Sequence, residues 1–134
     1  MTDDKDLMKI ATEARKRAYA PYSKYKVGAA LLGKNGKVYT GCNIENATYT
    51  PTVCAERTAF FKAITEGTME FEKIAVVGGK DGELSDTCTP CGVCRQVMAE
   101  FCDKNFKIVL GSVNEIKTYT LDEILPLSFT KNEL

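Results

Sequence analysis

The chain has 134 residues, 44% hydrophobic and 27% charged, with eighteen basic and eighteen acidic side chains. That length suits one domain, taken as 1–134, and is too short for two. The balanced charge argues against a nucleic-acid partner, and no apolar run approaches the roughly 20 residues of a membrane span.

Along the chain, Met1-Thr2-Asp3-Asp4-Lys5-Asp6 is polar with no apolar stretch behind it, so it does not read as a signal peptide; the expected location is the cytoplasm. From Asp6 to Ala20, apolar residues at Leu7, Ile10, Ala11, Ala14 and Ala18 recur with a helical period, and Pro21 is the expected stop. Tyr25 to Leu32 reads as a strand, joined through the turn Gly33-Lys34-Asn35-Gly36 to a second strand from Lys37 to Cys42. Thr52 is placed to cap a helix carrying Ala55, Ala59, Phe60, Ala63 and Ile64, which Gly67 ends. Lys73 to Gly78 reads as a short strand, and a helix runs through Val93, Val97, Met98 and Phe101. Phe106 to Leu110 and Ile116 to Leu121 are strands joined by too few residues for a parallel crossover, so they pair antiparallel. A short helix from Leu121 to Leu125 precedes Pro126. The expected fold is α/β: a three-layer α/β/α sandwich with a five-stranded mixed sheet.

Six cysteines and no histidine stand in this chain. A reducing compartment disfavours a disulfide framework, so some cysteines are expected to bind metal and others to pack as small hydrophobes. Without histidine, acid–base chemistry falls to Asp, Glu, Lys, Tyr or Cys. Pro90-Cys91-Gly92-Val93-Cys94 puts two thiols three positions apart at a helix start, within reach of one tetrahedral ion. Cys54 and Glu56 open another helix two positions apart, so the first can ligate while the second stands beside the metal. Three thiolates from Cys54, Cys91 and Cys94 leave a coordination position for water, the mark of a catalytic zinc site. Cys-x-Glu followed by Pro-Cys-x-x-Cys is the three-thiolate form of the signature of zinc nucleobase deaminases. Zinc with three thiolates carries a net negative charge, so a cation is expected nearby; Arg57, ahead of Arg95, is the expected compensating donor to a sulfur.

Gly41-Cys42-Asn43-Ile44-Glu45-Asn46, Cys54-Ala55-Glu56-Arg57-Thr58-Ala59 and Pro90-Cys91-Gly92-Val93-Cys94-Arg95-Gln96 together resemble the homotetrameric zinc-dependent cytidine deaminase family, with likeness from Tyr19 to about Phe129. The resemblance implies hydrolysis of cytidine and deoxycytidine to uridine and deoxyuridine with release of ammonia. Water activated at one zinc per subunit attacks C4, and Glu56 moves the protons. It further implies that Asn43 and Glu45 bind the ribose and that Tyr25, where the family usually has phenylalanine, packs on the pyrimidine. Ala55 offers its backbone to the base, and Asn46, Tyr49 and Phe129 complete a neighbouring subunit's site in a homotetramer. The partner is a small nucleoside, with no nucleic acid and no membrane.

Duller readings stand beside these. Cys88-x-x-Cys91-x-x-Cys94 has iron–sulfur spacing but lacks the further Cys-Pro. A closed structural zinc site could recruit Cys88 or Cys42 as fourth ligand. A related deaminase could act on another amino-heterocycle, such as a nucleoside antibiotic. Cys102 reads as core.

Overall fold

A computed structural model describes residues 2–80, 82–84 and 87–134. Helix α1 (Asp4–Ala14) starts two residues before the expected position, because the Asp3 side chain accepts the Asp6 N–H at 2.8 Å and caps it. It also stops short of Pro21, tightening into a 3₁₀ turn at Arg15–Arg17. The backbone then leaves the helix to pair Tyr19 with Ile44, and a Cβ at Gly28 would sit 2.0 Å from the Ala11 carbonyl and 2.5 Å from Arg15 N. The glycine lets this end of the helix lie directly on the sheet.

Strand β1 (Tyr25–Gly33) is flanked by β2 (Val38–Cys42) and by β3 (Phe71–Lys80), antiparallel to both. The third strand extends beyond the expected residues at each end, since it pairs with nearly all of β1. Between β2 and β3 comes α2 (Ala55–Thr65), and α3 (Gly92–Phe101) is the crossover from β3 to its parallel neighbour β4 (Lys107–Ser112). Strand β5 (Glu115–Thr120) returns antiparallel to β4, as the short connection requires, and α4 (Leu121–Ile124) follows. The sheet order β2-β1-β3-β4-β5 is mixed and five-stranded. A further 3₁₀ turn at Lys131–Glu133, closed by a Thr130 capping box, has no counterpart in the expected elements.

Strand periodicity divides the core into two. Ala29, Leu31, Ile74, Val76, Ile108 and Leu110 point to the face covered by α2 and α3, against Phe60 and Met98. Ala30, Leu32, Ala75, Val77 and Val109 point the other way, onto Leu7, Met8 and Ala11 of α1. The result is three layers. Phe60 is fully buried, with its ring centroid 5.0 Å from Phe71 and 6.1 Å from Phe106; burying a side chain of that size stabilises by about 1.5–3 kcal/mol. Glycine again decides how closely a helix approaches. A Cβ at Gly41 would lie 2.3 Å from the Ala55 carbonyl and 2.6 Å from Ala59 N, so only glycine lets the first turn of α2 rest on β2. That contact sets the height of Cys54 and Glu56 above the sheet. Among the described residues no helix is long and apolar enough to cross a membrane.

Candidate functional site

Cys54 and Cys91 are the N-caps of α2 and α3, so the positive ends of both helix dipoles face the sulfurs. Thr52 does not cap α2 as expected; its hydroxyl accepts the Asn46 N–H at 3.1 Å instead. The Cys91 sulfur accepts the Cys94 N–H at 3.5 Å, taking up one N–H that a helix start leaves without a partner. Cys54 Sγ lies 3.6 Å from Cys91 Sγ, which lies 3.5 Å from Cys94 Sγ, and all three sulfurs fall within 4.8 Å of one another. Tetrahedral zinc with bonds of about 2.3 Å needs sulfurs about 3.8 Å apart, so the donor set fits the ion. Among the described residues no fourth ligating side chain joins this group. Cys88, the candidate for closing the site, is buried but is not among the sulfurs that fall within reach of one another. A Cβ built on Gly78 would lie 2.5 Å from its sulfur and 3.0 Å from the Tyr25 ring edge.

Arg57 Nη2 donates to Cys54 Sγ at 3.4 Å. Hydrogen bonding from the Cys94 thiol, then from Arg57, lowers the Cys54 thiol and favours its ionised form. Cys94 is pushed up, first by sharing its proton with Cys54 and then by burial. Arg95 hydrogen-bonds backbone carbonyls rather than a sulfur. Its Nε donates to the Pro90 carbonyl at 2.7 Å and its Nη1 to the Ile124 carbonyl at 2.6 Å, so it ties the segment before Cys91 to α4. Of the two arginines expected near the cluster, Arg57 is the one that hydrogen-bonds a sulfur, as the sequence reading preferred.

Glu56, in the first turn of α2, is only 4% exposed, and burial pushes its carboxyl up to about 7. A carboxyl with that affinity exchanges protons in both directions near neutral pH. Ala55 beside it is fully buried at the first helical position.

Asn43 and Glu45 flank Ile44, which bridges to both Tyr19 and Val53 and so ties this stretch to the residue before Cys54. The Asn43 side chain accepts the Val27 N–H and donates to the Tyr25 carbonyl, both at 2.8 Å. Glu45 Oε1 accepts the Tyr22 and Ser23 N–H groups at 3.0 and 3.1 Å, and its Oε2 accepts the Ser23 hydroxyl. These bonds, the Ser23 hydroxyl foremost, hold its carboxyl below the usual range. A groove of about 410 Å³ opens at Glu45, lined also by Tyr22, Ser23, Asn46, Tyr49 and Thr52. Ser23 lies in the resembling stretch yet had no expected role; its position in the turn after Pro21 was the available signal. Tyr49, with its ring edge-on to Tyr22, and Phe129 are 75% and 62% exposed, and Asn46 is exposed too. The Phe129 carbonyl accepts Gln96 Nε2 at 2.8 Å, and the hydrogen bonds of the sulfurs include none of these three residues. A larger cavity of about 850 Å³, between the end of α3 and the C-terminal segment, contains none of the cluster residues.

Residues 1–110 match the family model for the cytidine and deoxycytidylate deaminase zinc-binding region. A cytidine deaminase from Sporosarcina psychrophila is 47% identical over 133 residues, covering 98% of this chain and 95% of the relative. One from Halalkalibacterium halodurans is 48% identical over 133 residues, covering 98% of each. The crystal structure of a cytidine deaminase from Burkholderia pseudomallei superposes with a TM-score of 0.83 at 45% identity, covering 92% of this chain and 96% of that one.

Proposed function

From the premise that this chain belongs to the cytidine and deoxycytidylate deaminase zinc-binding family, we propose that it hydrolyses cytidine and deoxycytidine to uridine and deoxyuridine with release of ammonia, a reaction of pyrimidine salvage. The observation that carries this reading is the buried carboxyl of Glu56 beside three sulfurs spaced for one zinc ion. Cys54, Cys91 and Cys94 hold the ion. When bound, zinc supplies the Lewis acidity that makes water a nucleophile near neutral pH.

The chain's own residues do the rest. Glu56 takes a proton from the water that attacks C4 and delivers it to N3, then takes the remaining proton of the new C4 hydroxyl and passes it to the amino group, so that the C4–N bond breaks, ammonia leaves and the C4 carbonyl forms. The Tyr25 ring packs on the pyrimidine, the Ala55 backbone addresses its polar edge, and Asn43 and Glu45 take the sugar hydroxyls. Arg57 offsets the excess negative charge of three thiolates, supported by its bond to Cys54.

The same reading makes residues 1–134 one domain of a homotetramer with shared sites. Asn46, Tyr49 and Phe129 then meet a neighbour's substrate, and the exposure of all three supports that placement. Six unpaired thiols suit the cytoplasm. The test is zinc content measured beside ammonia release from cytidine, deoxycytidine, cytosine and deoxycytidine monophosphate. The two nucleosides are expected to turn over and the free base and nucleotide to lag far behind. Zinc-loaded protein that releases no ammonia from either nucleoside overturns the reading.

A further inference from the structure

The Ser23 hydroxyl touches two residues with different tasks. It donates its proton to Glu45 Oε2 and accepts the Tyr25 N–H at 3.0 Å. Lys24, between Ser23 and Tyr25, has φ +61°, a left-handed conformation uncommon outside glycine. The turn this makes folds the hydroxyl back onto Tyr25. On its other side, the Tyr25 carbonyl accepts Asn43 Nδ2 at 2.8 Å. The backbone of Tyr25 is thus held at its N–H and at its C=O by side chains of the sugar-facing cluster.

An ionised carboxylate offers about four acceptor positions. Two backbone N–H groups and the Ser23 hydroxyl occupy three of those on Glu45, leaving one on Oε2, beside Ser23. The direction in which Glu45 accepts a further hydrogen bond therefore depends on Ser23.

We propose that Ser23 is a positioning residue for substrate, its hydroxyl fixing the Glu45 carboxylate and the backbone of Tyr25 as one unit so that sugar and base are held in a set mutual geometry. This rests on the sugar role of Glu45 and the base-packing role of Tyr25. The spacing between the two recognition groups is then a property of the Ser23 turn, and loosening that turn weakens binding while leaving the zinc cluster and Glu56 in place.

Steady-state kinetics on zinc-loaded protein tests this, with cytidine as substrate and uridine as competitive inhibitor. Ser23→Ala is expected to raise KM and the uridine inhibition constant together by about tenfold, the scale of one hydrogen bond to a charged group. Zinc content and kcat stay near wild type, and Ser23→Thr, which keeps the hydroxyl, restores both constants. Ser23→Cys keeps the shape with a weaker donor; it gives an intermediate rise and serves should the alanine variant not fold. Glu45→Gln is the control. If it raises both constants while neither Ser23→Ala nor Ser23→Cys does, the proposal is overturned and the sugar reading stands. If Glu45→Gln moves neither constant, the sugar reading itself falls. A loss of zinc or kcat in the Ser23 variants with both constants unchanged makes Ser23 structural and equally overturns the proposal.

Discussion

Two glutamates eleven positions apart are tuned in opposite directions by their surroundings. Glu56 is buried in the first turn of a helix, and desolvation pushes its carboxyl up to about 7. Glu45 lies at the rim of a groove, where two backbone N–H groups and a hydroxyl hold its carboxyl low. The first is suited to passing protons at neutral pH, the second to staying charged and accepting a hydrogen bond. Environment separates the roles where residue type does not.

The largest expected effect tests the Glu56 side of this contrast. Glu56→Gln keeps the helix and the three sulfurs but removes the group that exchanges protons. It should retain zinc and lose on the order of 10²–10⁴-fold or more in kcat, measured by ammonia release. KM should move little, in contrast to Glu45→Gln, whose effect is expected in KM. A Glu56→Gln variant that binds substrate poorly yet turns over at the wild-type rate would reverse the two assignments.

A smaller effect separates the two arginines. Arg57 touches a ligand sulfur, while Arg95 holds two carbonyls. Removing a side chain that hydrogen-bonds a metal ligand typically costs 10–100-fold in metal affinity or activity. Arg57→Ala should therefore weaken zinc retention against a competing chelator by that factor. Arg95→Ala should lower the unfolding temperature with zinc affinity nearly unchanged. Equal zinc loss in both variants would mean that charge near the cluster matters more than contact with it.

Much of this site was legible in the sequence because its chemistry is carried by rare residue types at helix starts. With no histidine to compete, Cys54, Glu56, Cys91 and Cys94 had few alternative readings. The layer order was legible because strand alternation sorts Ala29 and Leu31 from Ala30 and Leu32 onto opposite faces. What stayed hidden depends on tertiary approach. Thr52 is a good capping residue by type, yet the turn at Asn46 takes its hydroxyl, and the N-cap position of α2 falls on Cys54, whose side chain makes no capping bond. Helix α1 ends early because the chain turns aside to bridge Tyr19 with Ile44, a contact 25 positions away that no local period reports. Nothing local to Ser23 reports its hydrogen bonds to Glu45, 22 positions away, and to Tyr25.

The smallest effect returns to the two carboxyls through pH, in zinc-free protein under reducing conditions. Glu56 has a folded-state affinity raised from 4.5 to about 7, so its contribution to stability is full below about 4.5 and is lost as pH rises through about 7. Between pH 6 and 7 that loss is about 1 kcal/mol, enough to move an unfolding temperature by a few degrees. Cys54 works against it in the same window: its thiol is lowered from its usual value, so it adds stability as pH rises. The wild-type curve alone therefore mixes two opposing slopes, and the difference between wild type and Glu56→Gln carries the carboxyl's slope together with its charge interaction with the cluster thiols. That difference should shift by about 1 kcal/mol in favour of the glutamine variant from pH 6 to 7. Glu45 has the opposite sign and another window, since a lowered carboxyl stabilises above about 4.5 and loses that contribution only as pH falls below it. The difference between wild type and Glu45→Gln should stay flat from pH 6 to 7 and shrink under acid. If both differences run parallel across the neutral window, burial does not set Glu56 apart from Glu45, and the proton-shuttling role loses its physical basis.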